Sequence, residues 1–147
     1  MIGSLLQDCK IIKVMDSQST GQTNPTSSIV DTQGYGGACF ICKLGAVTNA
    51  AKIEMDVQGN TANATSGMAD MSGAKAAIAE ADSDAEQSLV VDVVKPRKRY
   101  LRVEIERDTQ NSEIDSVFCI LYNGQAKPAT QPATIDASAQ VVSPADA

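Results

Sequence analysis

The residues whose type and spacing best suit chemistry are Cys39 and Cys42, a C-x-x-C pair. That spacing serves a redox disulfide at a helix start, or half of a tetrahedral zinc site. Here both thiols fall inside the apolar run 38–44, which reads as a strand, and residues three apart on a strand point to opposite faces. Zinc also needs four ligands, and the chain has no histidine and no second close cysteine pair. Cys39 and Cys42 are therefore expected to be packed thiols, with no metal. Cys9 and Cys119 complete the set of four, and without an export signal thiols are expected in preference to disulfides.

Other chemistry-bearing patterns fail in similar ways. Asp82, Asp84 and Glu86 alternate like a calcium loop but lack its glycine and its distant bidentate glutamate, so a solvated acidic loop is expected. Asp70 and Glu80 add carboxylates without the spacing of a glycosidase pair. Gly34, Gly36 and Gly37 around Tyr35 match no phosphate-binding fingerprint and are read as a turn before a strand. The triplet Asn63-Ala64-Thr65 is a glycosylation sequon only in a secretory lumen. The absence of histidine removes the usual general base near neutral pH. The expectation is no enzyme, no cofactor and no small-molecule substrate.

One dense positive patch remains: Lys95, Arg97, Lys98 and Arg99, interrupted by Pro96. Three roles are open to it: a docking edge for an acidic protein surface, an ordinary solvated face, or a nucleic-acid contact. The formal net charge of -6 argues against general nucleic-acid binding.

The elements that position these residues are strands. Tyr100, Arg102, Glu104 and Glu106 occupy one parity while Leu101, Val103 and Ile105 occupy the other, the two-fold pattern of a half-buried strand. Residues 114–122 are more apolar and lack clean alternation, as expected of a strand covered on both sides. Together the two make the best hairpin candidate in the chain. Further strands are read at 10–15, 28–31, 38–44, 51–58 and 88–94, with a polar loop at 16–28 and a turn at Gly59 and Asn60. Alanines at 74, 76, 77, 79 and 81, with Ser72 as a possible cap, predict one short helix in a central excursion spanning 66–86. After Pro128 the chain turns to small residues and prolines, which fit an extended arm, either a loose tail or a segment ordered against a neighbour.

The fold expected is all-β, an antiparallel jelly roll or β-sandwich over residues 1–128, with the arm at 129–147. At 147 residues, with no tryptophan and only two phenylalanines, the core must be thin and built from small and β-branched side chains. No run is long enough to span a membrane and no signal peptide is visible, so synthesis in a cytosol is expected.

With these residues in view, the carboxyl-terminal half resembles the head cement or decoration proteins of tailed bacteriophages, of the type found on the head of Bordetella phage BPP-1. The resemblance rests on the strand 89–94 and the Lys95-Pro96 approach. It extends through Arg99-Tyr100-Leu101-Arg102-Val103, the Asp108-Thr109-Gln110-Asn111 turn, the apolar run 117–122, Gly124, and the Lys127-Pro128 exit. Asn123 separates Tyr122 from Gly124, where relatives join tyrosine and glycine directly.

The resemblance implies a β-sandwich made in the host cytoplasm that binds the outer surface of the virion head and clamps major capsid subunits. It implies a homo-oligomer, dimer or trimer. The residues it points to for capsid binding are Lys95, Arg97, Lys98, Arg99, Tyr100, Arg102 and Tyr122, with Tyr122 equally suited to the core. Competing expectations are a head fibre base, neck or tail component, and a carbohydrate-binding sandwich, the last weakened by the scarcity of aromatics.

Overall fold

Alternation along two strands shows how the layers arise. The computed structural model describes residues 3–78 and 86–142. Its elements are α1 (Leu5–Asp8), β1 (Lys10–Met15), β2 (Gln18–Gly21), β3 (Val30–Asp31), β4 (Gly37–Val47), β5 (Lys52–Asn60), β6 (Ala69–Ile78), β7 (Ser88–Val94), β8 (Tyr100–Asp108) and β9 (Ser112–Tyr122). In β7, Leu89, Val91 and Val93 point inward between exposed neighbours, and in β8 the buried set is Leu101, Val103, Ile105 and Arg107. Each of these two strands thus has one dry side, and two sheets must close over each other to keep it dry.

One sheet has the order β1-β9-β4-β7, with β2 also pairing β9; the facing sheet has the order β3-β8-β5-β6. Every pairing is antiparallel. With β2 set aside, this is the strand order of a jelly roll, so the expected all-β class and antiparallel sandwich are present. The core between the sheets is aliphatic, built on Phe40, Leu44, Ile53, Met55, Leu101, Ile105, Ile114 and Leu121, with valines between them.

Three local expectations are corrected. β8 and β9 are not a hairpin, because they lie in different sheets. The 109–111 link carries the chain from one sheet to the other, so that the dry sides of β8 and β9 face each other across the core. A paired hairpin would have laid those apolar sets side by side in one sheet.

The alanine-rich segment is strand β6, which pairs with β5 from Ile53↔Ile78 to Gly59↔Ala69. Ala74, Ala76 and Ile78 pack on the core from this edge, and pairing along β5 overrides the intrinsic helical preference of alanine. The remainder of that predicted helix, with Ala79 and Ala81, and the acidic residues Glu80, Asp82 and Asp84 lie outside the described residues. The short helix that is described is α1.

Gly59 and Asn60 are also not a turn. They continue β5 opposite Leu101 and Tyr100, and the Asn60 side-chain amide donates to the carbonyls of Ala64 and Ser66, closing the loop that follows. Within the 16–28 loop, residues 18–21 form β2 along the overhanging end of β9.

The start of the carboxyl-terminal arm lies on the free edge of β1. The Ile11 amide donates to Gln131 Oε1 at 2.9 Å, and Gln131 Nε2 donates to the carbonyls of Leu6 and Cys9. One side-chain amide thereby satisfies backbone groups that an edge strand leaves open.

Candidate functional site

The basic segment is the crossing from β7 to β8, at one end of the sandwich. Lys95 has φ +52° and its amide donates to the Gly36 carbonyl at 2.8 Å, so the chain leaves β7 by a fixed left-handed step. Pro96 is half-buried, whereas Lys95, Arg97 and Lys98 are exposed. Among the described residues no carboxylate lies within ion-pair reach of these three cations. The stem of Lys98 covers Gly59 of β5, leaving its ammonium at the rim.

The other predicted contact residues are engaged within the molecule. Arg99 makes a two-bond fork to Asp31, Nε to Oδ1 and a terminal nitrogen to Oδ2, both at 2.9 Å, with its guanidinium 5.0 Å from the Tyr100 ring centre. The same guanidinium holds the Asp31 carboxyl below its usual range. Both partners are 45% exposed, so this pair contributes little beyond geometry, tying β3 to the start of β8. Arg102 Nε donates to Gln58 Oε1 at 2.7 Å, and Gln58 Nε2 donates to Asp70 Oδ1 at 3.0 Å, a chain running across β8, β5 and β6.

Tyr122 lies on the other sheet. Its hydroxyl donates to Asp92 Oδ1 at 2.6 Å, and burial, reinforced by the Asp92 carboxylate, pushes its pKa up to about 12. The structure therefore places Lys95, Arg97 and Lys98 together on the crossing, Arg99 and Tyr100 beside them, Arg102 on the outer face of one sheet, and Tyr122 on that of the other.

The Tyr122 ring lies over Gly37 of the neighbouring strand, where a β-carbon would clash with the ring's Cζ and its hydroxyl. Gly37→Ala is expected to destabilise the fold by about 1–3 kcal/mol, because the ring must leave both the strand and Asp92. Chemical denaturation measures this, and a loss below half a kilocalorie would show that the ring is free to move.

A second constellation was not singled out from the sequence. Glu54 and Asp56 of β5 and Glu106 of β8 bring carboxylate oxygens within 4.8 Å of one another. Glu104 is the cross-strand partner of Asp56. Lys75 of β6 reaches Glu54 at 3.2 Å from the other side. Asp56 is only 6% exposed. Burial first, and then Glu54 and Glu106, raise its pKa to about 7, and burial and Glu54 raise Glu106 as well. A hard cation suits three such oxygens. What the geometry itself provides is a shared proton. The acidic parities of β5 and β8 were each visible in the sequence; their juxtaposition depends on the β5–β8 register, which neither strand encodes alone.

Of the two thiols expected to be packed, Cys42 is and Cys39 is not. Cys42 is buried on the core side of β4 and Cys39 is half-exposed on the opposite side, and none of the four cysteines is in a disulfide. Burial pushes the Cys42 and Cys119 thiols up to about 12, well away from reactive thiolate character.

No family model and no curated protein matches this chain. A similar solved structure is a family two carbohydrate esterase from Cellvibrio japonicus, at 15% identity and a TM-score of 0.39; the match covers 86% of this chain but only 36% of the length of that one.

Proposed function

We propose that this chain is a structural virion protein that binds the outer surface of an assembled bacteriophage head and stabilises contacts between major capsid subunits. The observation that supports this reading is the crossing that holds Lys95, Arg97 and Lys98. These are exposed cations with no counter-charge in ion-pair reach among the described residues, grouped on a fixed backbone in a chain of net charge -6. The motif resemblance to cement proteins centres on the same crossing. Arg97 and its neighbours meet carboxylates of the capsid, and Tyr100 flanks the contact. Arg99, Arg102 and Tyr122 act one step back, holding the strands that frame the loop.

Such a protein works by mass action. It binds assembled shell better than free subunits, and the difference stabilises the shell. Repetition over a symmetric lattice makes modest affinity per copy sufficient.

The test is to mix the purified chain with undecorated expanded heads and image them. Occupancy of a repeating lattice position at micromolar concentration is expected. Binding at a single vertex ring, or none, overturns the reading. Arg97→Glu with Lys98→Glu is expected to weaken head binding about tenfold or more at low salt, while leaving the unfolding midpoint unchanged. Unaltered affinity would return these residues to the role of a solvated face.

A further inference from the structure

The outer face of the β3-β8-β5-β6 sheet sets like charge against like. In two outward cross-strand pairs of β5 and β8, Glu54 stands opposite Glu106 and Asp56 opposite Glu104. Directly opposed like charges destabilise a sheet, so two such pairs in a row call for an offsetting charge or proton. Lys75 is the partner of Asp56 on the β6 side, but its ammonium goes to Glu54 Oε1 at 3.2 Å. Asp56 itself belongs to the outward parity of β5, between Met55 and Val57 of the core, yet it is 6% exposed. The groups its carboxyl meets are the carboxyls of Glu54 and Glu106. Among the described residues no backbone amide, hydroxyl, side-chain amide or ammonium donates to it. Buried carboxylates ordinarily accept from such donors, whereas this one is aimed at other acceptors. A buried charge in that setting is balanced by a proton or by a metal ion. Beside the trio lies a cleft of about 150 Å³, walled by Ile53, Ala77 and Ile78 and edged by Glu54, Glu106 and Asp108. It gives an ion a path from solvent and room for water.

We propose that Glu54, Asp56 and Glu106 form a calcium site, with water from the cleft completing the coordination. The donor set is all oxygen, which selects a hard cation over zinc or copper. Oxygens within 4.8 Å of one another can share a calcium ion, whose bonds are about 2.3–2.6 Å long. The ligands are carried on two paired strands, so their spacing is fixed by the sheet. Calcium accepts such irregular geometry, whereas magnesium demands a near-ideal octahedron with shorter bonds. The charges also balance. Three carboxylates and one divalent ion leave a single negative charge, and the Lys75 ammonium beside Glu54 offsets it. The ion would tie β5 to β8 where like charges otherwise push the two strands apart. Because the trio exists only in the folded β5–β8 register, calcium binds the folded chain in preference to the unfolded one and stabilises it. In chelator the trio keeps its shared proton. This proposal does not depend on head binding and is tested on the protein alone.

The full chain, stripped with chelator and dialysed at pH 8, is titrated with calcium chloride in a calorimeter. One ion per chain is expected, with a Kd of about 0.1–1 mM. At 10 mM calcium the thermal unfolding midpoint should stand about 3–10 °C above its value in chelator. Asp56→Asn relieves repulsion and should fold, but it should bind calcium at least tenfold more weakly and lose the thermal shift. Glu106→Gln should do the same, and it decides the matter if Asp56→Asn does not fold. Lys75→Ala should retain the site and bind about threefold more tightly, since a cation beside Glu54 repels the ion. Asp82→Asn with Asp84→Asn, in the acidic run of the sequence, should leave binding unchanged. The absence of saturable binding up to 10 mM overturns the proposal and leaves the trio as a proton-sharing group. Binding that persists in Asp56→Asn and Glu106→Gln overturns it as well, as does binding lost in Lys75→Ala or in the Asp82 and Asp84 double variant. Magnesium binding within threefold of calcium overturns the choice of ion.

Discussion

Arg107→Met is expected to lower the unfolding free energy by about 3–5 kcal/mol, the largest single-residue effect outside the aliphatic core. Arg107 is 2% exposed and points inward from β8, where three aliphatic residues precede it on the same side. No carboxylate balances it among the described residues. Carbonyls do so instead: Nε donates to Thr23 O at 2.7 Å, and one terminal nitrogen donates to both Ser19 O and Ser112 O at 2.8 Å. The other terminal nitrogen donates to Thr23 Oγ1 at 2.7 Å, and the Arg107 amide donates to Asn24 Oδ1 at 3.0 Å. One guanidinium thus serves β2, the loop after it and the first residue of β9.

Methionine would fill the volume but leave three carbonyls without donors in a place that water does not reach easily, and each such loss costs about 1–3 kcal/mol. Arg107→Lys should recover only part of the stability, since one ammonium cannot span the same fork of acceptors. Burial lowers the pKa of Arg107, but the guanidinium stays charged at any pH the fold would meet, so this requirement is constant with pH. Urea denaturation checks the prediction. Limited proteolysis should show early cleavage between residues 18 and 24 in the variant, because β2 and its loop would lose their anchor. A loss below 1 kcal/mol would mean that those carbonyls find water.

Arg107 also marks where the sequence was legible and where it was not. The parity of β8 was plain from Leu101, Val103 and Ile105, and continuing it two residues puts Arg107 on the dry side. A charged residue in register with a buried set is a signal of an internal polar anchor, available without any structure. The sheet to which each strand belongs had no such signal. Residues 100–108 and 112–122 have the short polar link and the apolar content of a hairpin, and only the closure of two sheets separates them. Alternation reports which side of a strand is dry, not which strand lies beside it.

Residues 69–78 failed for another reason. Alanine is small enough to suit either a helix or a sheet edge, so local preference decided wrongly where pairing with β5 was available. The apolar character of residues 114–122 on both parities was read as a strand covered on both sides. The core covers one of those sides, with Ile114, Val117, Cys119 and Leu121 buried, while Phe118, Ile120 and Tyr122 on the other are only partly buried.

Stability should fall as pH rises from about 5 to 7, and Asp56 is the residue responsible. An unfolded aspartate titrates near 3.9. In the fold, burial and the adjacent carboxylates raise Asp56 to about 7. Between these values the folded state holds a proton that the unfolded state has released, so the folded state binds more protons and the slope of stability with pH is negative. The stabilising contribution is fully present below the unfolded pKa and is lost once the pH passes the folded one. At about 1.4 kcal/mol per pH unit for one group, the decline from pH 5 to 7 should be about 2 kcal/mol.

The groups facing Asp56 determine how much of this survives. Glu54, Glu104, Glu106 and Asp70 crowd it with negative charge, and Lys75 relieves only the Glu54 side. Asp56→Asn removes the titrating group while retaining an amide that can donate to Glu54 or Glu106. Its unfolding free energy should therefore be nearly flat from pH 5 to 8 and should exceed wild type by about 2 kcal/mol at pH 8. Lys75→Ala should have the opposite effect, extending the decline to higher pH by removing the ammonium that pairs with Glu54. Denaturation curves at pH 5, 6, 7 and 8 distinguish these outcomes. Equal pH slopes for wild type and Asp56→Asn would show that water reaches the Asp56 carboxylate and keeps its pKa ordinary. A decline that persists in Asp56→Asn and vanishes in Glu106→Gln would instead place the shared proton on the β8 side of the trio.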